Sequence, residues 1–187
     1  VSQFPTVDWA FLLPAVILGN LLTVSFYFIG GLILLEKSEG TLEAQVVSPL
    51  TSGEYLASKV ITLGGLSLAE CLVMVWTAHG SDFDLLPMAA GIVLASVLYT
   101  LIGFVAVSRY DTINDYIFPS ALYTMALQLP FLHYFGLWDS PLMYLHPLQG
   151  TLVLMSAAFG PIAGPLWVYG LGSSVIWILP ACWATSR

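Results

Sequence analysis

Four groups of polar residues interrupt an otherwise apolar sequence, and their types and spacing bound the chemistry the chain can carry. The first is Glu70, alone inside the apolar run 60–79. It lies 11 residues past Lys59, roughly 16 Å along a helix and so near the middle of a bilayer. A carboxylate at that depth is costly unless protonated, paired or water-lined, which makes it a candidate for a translocation path. The competing reading is an interhelical hydrogen bond to Asn20, expected at similar depth in the preceding span. The second group is the stretch from Glu36 to Lys59, which holds six of the chain's charges. The third is His133, Trp138, Asp139 and His146. The spacing of His133, Asp139 and His146 is irregular and crosses Pro141, which favours interfacial hydrogen bonding over a metal set, and Trp138 fits an aromatic belt at the outer headgroups. The fourth, Arg109 with Asp111 and Asp115, reads as a wetted loop or as a second contact for a partner.

Several chemistries are excluded at once. There is no His-Glu-x-x-His pair for zinc and no pair of aspartates in membrane helices. Gly172-Ser173-Ser174 lacks the arrangement of an intramembrane serine protease. The only Lys-Ser step, Lys37-Ser38, follows Glu36 rather than a glycine-spaced turn, so no phosphate-cradling loop is present and the chain is not expected to hydrolyse ATP. No catalytic residue, metal or cofactor is expected in it.

The elements that must position these residues follow from composition. Of 187 residues only 8% are charged and 58% are apolar, with a mean hydropathy of +0.90. A surface wetted on all sides needs about 25% charge, so most of this surface faces lipid. A net charge of -7, with Lys37, Lys59, Arg109 and Arg187 as the only cations, leaves no basic patch for nucleic acid. Cys71 and Cys182 sit in apolar stretches, so no disulfide framework is expected.

About 20 apolar residues cross a hydrocarbon core of about 30 Å. Windows at about 9–35, 60–79, 85–108, 116–133 and 165–184 meet that need and predict an all-α membrane bundle of five spans forming one transmembrane domain. Residues 133–164, broken by prolines, are left as a folded connection at the membrane surface. With the N-terminus outside, all four cations fall on the cytoplasmic side, and Asp8, Asp82, Asp84 and Asp139 fall opposite. An additional helix ahead of Val1 is expected, restoring six crossings; the residues before the first apolar run show no charged n-region or cleavage pattern, so they are not expected to be a signal peptide. Pro14 and Pro180 predict bends, and Gly30-Gly31, Gly64-Gly65 and Gly170-Leu171-Gly172 predict close helix approach.

Between the first two spans, 36–59 is too polar for lipid and longer than a turn requires. It reads as two helical pieces broken at Pro49. Leu42, Val46 and Pro49 form an apolar stripe, and Glu39 and Glu43 stack one turn apart on another face. Thr51 with Glu54 makes a capping box that starts the next helix. The segment is either a solvated turn or a docking element for a cytoplasmic protein, and the amphipathic pattern favours docking.

Glu36, Glu39-Gly40-Thr41-Leu42-Glu43, Val47-Ser48-Pro49-Leu50 and Glu54-Tyr55-Leu56 with Lys59 resemble the first inner loop of type-2 ABC transporter permeases. The stretch from Leu129-Pro130 to Pro147-Leu148 resembles the external hairpin of the subgroup that exports fluoroquinolones and other drugs. The resemblance implies that the five spans are the second to sixth of six. It also implies that Gly40 to Pro49 is a coupling helix seated in a separate ATPase subunit, which binds ATP and Mg. Glu36, Glu39, Thr41 and Glu43 would serve that contact, and Leu42 and Val46 would fill its apolar slot. A second permease half, as homodimer or heterodimer, would complete the path. His133, Trp138, Asp139 and His146 would lie in a half-inserted hairpin acting as an outer lid or plug. The location implied is the plasma (inner) membrane of a bacterium or archaeon, with export of a drug-like or lipid-like compound. The alternative is a membrane assembly subunit that docks a cytoplasmic partner through 36–59 without moving a substrate.

Overall fold

The computed structural model describes residues 8–41, 51–160 and 164–185, and its regular structure is entirely helical. Asp8 starts the first helix: its carboxylate accepts from the Phe11 N–H at 3.2 Å, occupying a donor that helix geometry leaves free. No charge follows until Glu36, and the chain stays helical over Trp9–Ser38, about 45 Å. This length comprises α1 (Trp9–Leu21), a π-helical turn (Leu22–Tyr27) and α2 (Phe28–Ser38). The π turn widens the backbone locally and holds Ser25 and Phe26 fully inside the bundle.

The capping box at Thr51 is formed. The Thr51 N–H donates to Glu54 Oε2 at 2.8 Å and the Glu54 N–H to Thr51 Oγ1 at 3.3 Å. It launches α3 (Ser52–His79), which ends at Gly80 with φ 84. After a short turn, α4 (Leu85–Val107) runs through the centre, packing on α2, α3 and the π turn. Close approach at that crossing depends on Gly103, where a Cβ would meet Ile29 Cγ2 at 2.7 Å and the Phe26 carbonyl oxygen at 3.0 Å.

The region expected as a span at 116–133 is divided into two shorter helices, α5 (Ile113–Leu127) and α6 (Leu129–Tyr134), neither long enough to cross by itself. They join at Gln128, just ahead of Pro130, whose missing N–H interrupts the helical ladder. Alone, α5 is about 22 Å long; with α6 it reaches the Trp9 end of the bundle. There the Tyr134 hydroxyl donates to the Phe11 carbonyl at 2.7 Å and the two rings stack at 5.1 Å. A 3-10 turn (Pro141–Leu145), α7 (Gln149–Ser156) and a second 3-10 turn (Ala157–Phe159) follow, then α8 (Gly164–Thr185).

Residues 133–159 do not simply lie across one end of the bundle. α7 is wedged between α4 and α8 and touches α1; Leu152, Leu154 and Met155 are fully buried. Thr151 and Met155 abut Gly91, and Gly150 abuts Gly170. Each of those glycines lies six residues into its own helix, about 9 Å from the end. The fold-back therefore enters the bundle part-way and returns, and the Asp84 N–H fastens its exit by donating to the Ala158 carbonyl at 2.8 Å.

Four helical lengths, Trp9–Ser38, Gly53–His79, Leu85–Val107 and Gly164–Thr185, are long and apolar enough to cross a membrane. Their environments differ. The apolar window of α4 is 61% buried, whereas that of α8 is 11% buried, which leaves α8 at the rim with its side chains turned outward. Among the described residues, every lysine and arginine (Lys37, Lys59 and Arg109) lies at the end opposite Trp9. Asp8, Asp82, Asp84 and Asp139 lie at the Trp9 end.

Candidate functional site

Two polar assemblies sit within the apolar bundle. Asn20, near the end of α1, donates from Nδ2 to Glu70 Oε1 on α3 at 2.7 Å, with Cys71 Sγ at 3.9 Å from the same nitrogen. Of the two roles considered for Glu70, the interhelical hydrogen bond is therefore present. It lies on a partly exposed seam between α1 and α3 rather than in the sealed core.

One turn further on, Ser25 of the π turn, Ser67 of α3 and Ser96 of α4 form a closed triangle. The Ser25–Ser96, Ser25–Ser67 and Ser96–Ser67 oxygen distances are 2.8, 3.1 and 3.3 Å. All three are fully buried. Three hydroxyls in a triangle can each donate once and accept once, which satisfies the polar atoms without water. The triangle was not anticipated from the sequence. The signal for it is depth: Ser67 is eight residues past Lys59 and Ser96 is eleven past Leu85, at comparable levels of neighbouring helices.

At the opposite end from Trp9, the foot of the 36–59 segment is clasped. Lys59 Nζ pairs with Glu36 Oε1, and the Tyr55 hydroxyl donates to Glu36 Oε2. Lys37 donates to the Tyr110 carbonyl at 2.6 Å and the Ser108 carbonyl at 3.3 Å, and meets Asp111 Oδ1 at 3.2 Å. The Lys37 ammonium thus sits just past α4, where helix carbonyls are unsatisfied and negative charge accumulates. Thr41 Oγ1 donates back to the Glu36 carbonyl at 3.0 Å, and Gly40 takes φ 71, a left-handed conformation that turns the chain away from α2. Glu39 is exposed. Leu42, Glu43, Val46 and Pro49 lie outside the described residues. The hydrogen bonds of Lys37 and Tyr55 are not legible in the sequence, because nothing in their spacing reveals partners on other helices.

The third set separates. His133 Nδ1 approaches Asp139 Oδ1 to 3.3 Å, without the alignment of a hydrogen bond, and its ring packs edge-on against Tyr144. Trp138 is half exposed nearby. His146 lies elsewhere, with Nδ1 accepting from the Leu148 N–H at 3.3 Å and Nε2 at 3.1 Å from the Ala126 carbonyl. Pro130 has no N–H to give the carbonyl four residues back, and the imidazole supplies that donor. Only the neutral Nε2–H tautomer makes both bonds, and burial holds this histidine below its ordinary pKa. Among the described residues, no group of three or more His, Cys, Asp or Glu is placed to hold a metal.

Comparison with known proteins fits this anatomy. The model of the fluoroquinolones export permease protein family matches residues 3–187. The chain is similar to fluoroquinolones export permease proteins from Mycobacterium tuberculosis strains CDC 1551 / Oshkosh and ATCC 25618 / H37Rv. Each is 39% identical over 159 residues, which is 84% of this chain and 67% of the relative. No solved structure matches.

Proposed function

Because the chain belongs to the fluoroquinolones export permease protein family, we propose that it is the membrane-spanning permease subunit of an ATP-driven exporter of drug-like or lipid-like compounds. ATP and Mg are held by a separate nucleotide-binding subunit, and a second permease half completes the path. In this reading the pair α5 and α6 makes the fourth of five crossings, the Trp9 end faces outward, and the Lys37 end is cytoplasmic, in keeping with the gathering of the cations there.

The observation that carries the proposal is the clasp. Glu36 joins the end of α2 to Tyr55 and Lys59 on α3, and Lys37 joins it to the segment just past α4. A load applied to the segment between them passes to three helices together. Closure of the ATPase subunits on ATP draws the coupling element, with Glu39 and Glu43 on its acidic face, toward the molecular axis. The clasp transmits that displacement to the seam bearing Asn20 and Glu70, and the path alternates between inward and outward access. The permease contributes shape and differential affinity and performs no covalent chemistry.

Co-purification tests the docking step. The full-length chain is expected to bring down a nucleotide-binding subunit from its own source, and to lose it on charge reversal by Glu39→Lys with Glu43→Lys. Undiminished association would count against the coupling role.

A further inference from the structure

The helical run Trp9–Ser38 is interrupted midway by the π turn Leu22–Tyr27. There the Phe28 N–H donates to the Thr23 carbonyl five residues back, so the turn encloses one residue more than an α-helical turn. Packing explains why the extra residue is present. Buried pairs recur every four residues, from Leu13-Pro14 through Ser25-Phe26 to Ile33-Leu34. Four residues of an α-helix turn by about 400°, so the buried face drifts about 40° per repeat, and one inserted residue takes back about 100° of that drift.

The turn also stands where three helices meet most closely. Ser25 is tied to Ser67 of α3 and Ser96 of α4, and Gly103 lets α4 approach the Phe26 carbonyl. On either side of it the two arms are fastened to different bodies. Outward, α1 is held to α6 by the Tyr134 hydroxyl on the Phe11 carbonyl. Inward, Glu36 at the end of α2 is held to Tyr55 and Lys59 of α3. α3 is one α-helix over Ser52–His79 with no proline inside, so it carries Glu70 along with whatever moves the clasp. Asn20 belongs to the other arm. A π turn is one of the few places where a helix bends sharply.

We propose that this π turn is a hinge pinned by the serine triangle, about which α2 and α3 swing as one body against α1 and part Asn20 from Glu70. The inference rests on the export reading for the force that drives it, the closure of the ATPase subunits. The hinge itself follows from the interrupted helix and the separate anchoring of its arms. Trp76 lies nine residues past Ser67, about 14 Å along α3, so a swing of about 15° carries it about 3–4 Å relative to α1. The clasped ends of α2 and α3 keep their separation.

Spin-label distances in the assembled complex test this. The full-length chain, its second half and the nucleotide-binding subunit are placed in nanodiscs. Cys182→Ser removes the exposed thiol, and Cys71 is fully buried. Labels go on exposed positions: Val16→Cys with Trp76→Cys across the hinge, or Leu35→Cys with Ile61→Cys within the clasped body. On addition of a non-hydrolysable ATP analogue, the first distance is expected to change by about 3 Å or more and the second by less than about 1 Å. Thr23 is exposed and outside the triangle. Its deletion converts the π turn to an α turn and keeps the facing of both arms. That variant is expected to lose the change across the hinge and to cut ATP-driven fluoroquinolone uptake roughly tenfold or more. Constant distances in the wild type, equal changes in both pairs, or a change across the hinge that survives in the folded deletion variant overturns the proposal. Should the deletion variant fail to fold, the two wild-type distances decide. ATP-driven uptake by wild type with a constant distance between the Val16 and Trp76 positions sinks the hinge alone; the nucleotide-driven change without any uptake sinks the export reading alone.

Discussion

Removing Lys59 is expected to loosen the bundle at the foot of the 36–59 segment. The Lys59 and Glu36 side chains are 20% and 17% exposed, between a surface pair worth about 0–1 kcal/mol and a fully buried one whose disruption costs about 3–5 kcal/mol. Lys59→Met strands the Glu36 carboxylate with only the Tyr55 hydroxyl as partner, so a loss of about 1.5–3 kcal/mol is expected. Glu36→Gln leaves an uncompensated ammonium beside an amide and falls in the same range. Combining the two removes both charges, and the double variant is expected to recover about 1–2 kcal/mol relative to the sum. Unfolding of the full-length chain in mixed micelles, read as a double-mutant cycle, measures this coupling. Additivity within about 0.5 kcal/mol would refute the clasp as an energetic link between α2 and α3.

Other consequences are checked by the same unfolding measurement. Gly103→Ala drives a Cβ against the Phe26 carbonyl and Ile29 and is expected to cost about 1–3 kcal/mol. Gly64→Ala, with nothing within 4 Å of the new atom, is expected to be neutral or stabilising by up to about 1 kcal/mol. Asn20→Leu, which leaves the Glu70 carboxyl without its donor, is expected to cost about 1–3 kcal/mol, and Glu70→Gln, which keeps an acceptor, less than about 1 kcal/mol; equal losses would contradict the hydrogen bond as the reason for the pairing. His146 binds its proton less readily folded than unfolded, so the unfolded state takes up more protons as pH falls. Its contribution is full above the ordinary value of 6.5 and declines as pH drops toward the lower folded value. The unfolding midpoint of wild type is expected to fall with acidification through that window, and that of His146→Asn to fall less.

The elements that composition and spacing dictate were legible before the structure. A charge-free run bounded by Asp8 and Glu36 gives one long helix, and Thr51 with Glu54 starts α3 where a capping box should. The depth of Glu70 relative to Asn20 follows from helical rise alone, and their hydrogen bond agrees with it. What stayed hidden depends on which faces meet. The π turn has no composition signature, yet it sets the inward face of Ser25 and with it the serine triangle. A Cβ at Gly91, Gly103 or Gly150 would collide with a neighbouring helix, whereas one at Gly64 or Gly65 would meet nothing within 4 Å inside the single chain. The histidines at 133 and 146 appear equivalent in the chain; Pro130 separates their roles by leaving a carbonyl that one of them satisfies. Composition alone gives the segment carrying α7 as a surface connection, because its burial comes from α4 and α8, which sequence does not bring together; the half-inserted hairpin comes only from the family resemblance.

Reconstitution tests the central claim most directly. The full-length chain, its second half and the nucleotide-binding subunit are placed in inverted vesicles, and uptake of a fluoroquinolone is followed with and without ATP. Uptake that needs both ATP and the nucleotide-binding subunit, and that disappears with Glu39→Lys and Glu43→Lys while the chain remains folded, is the predicted result. Uptake by the chain without that subunit, or undiminished uptake after charge reversal, would contradict it.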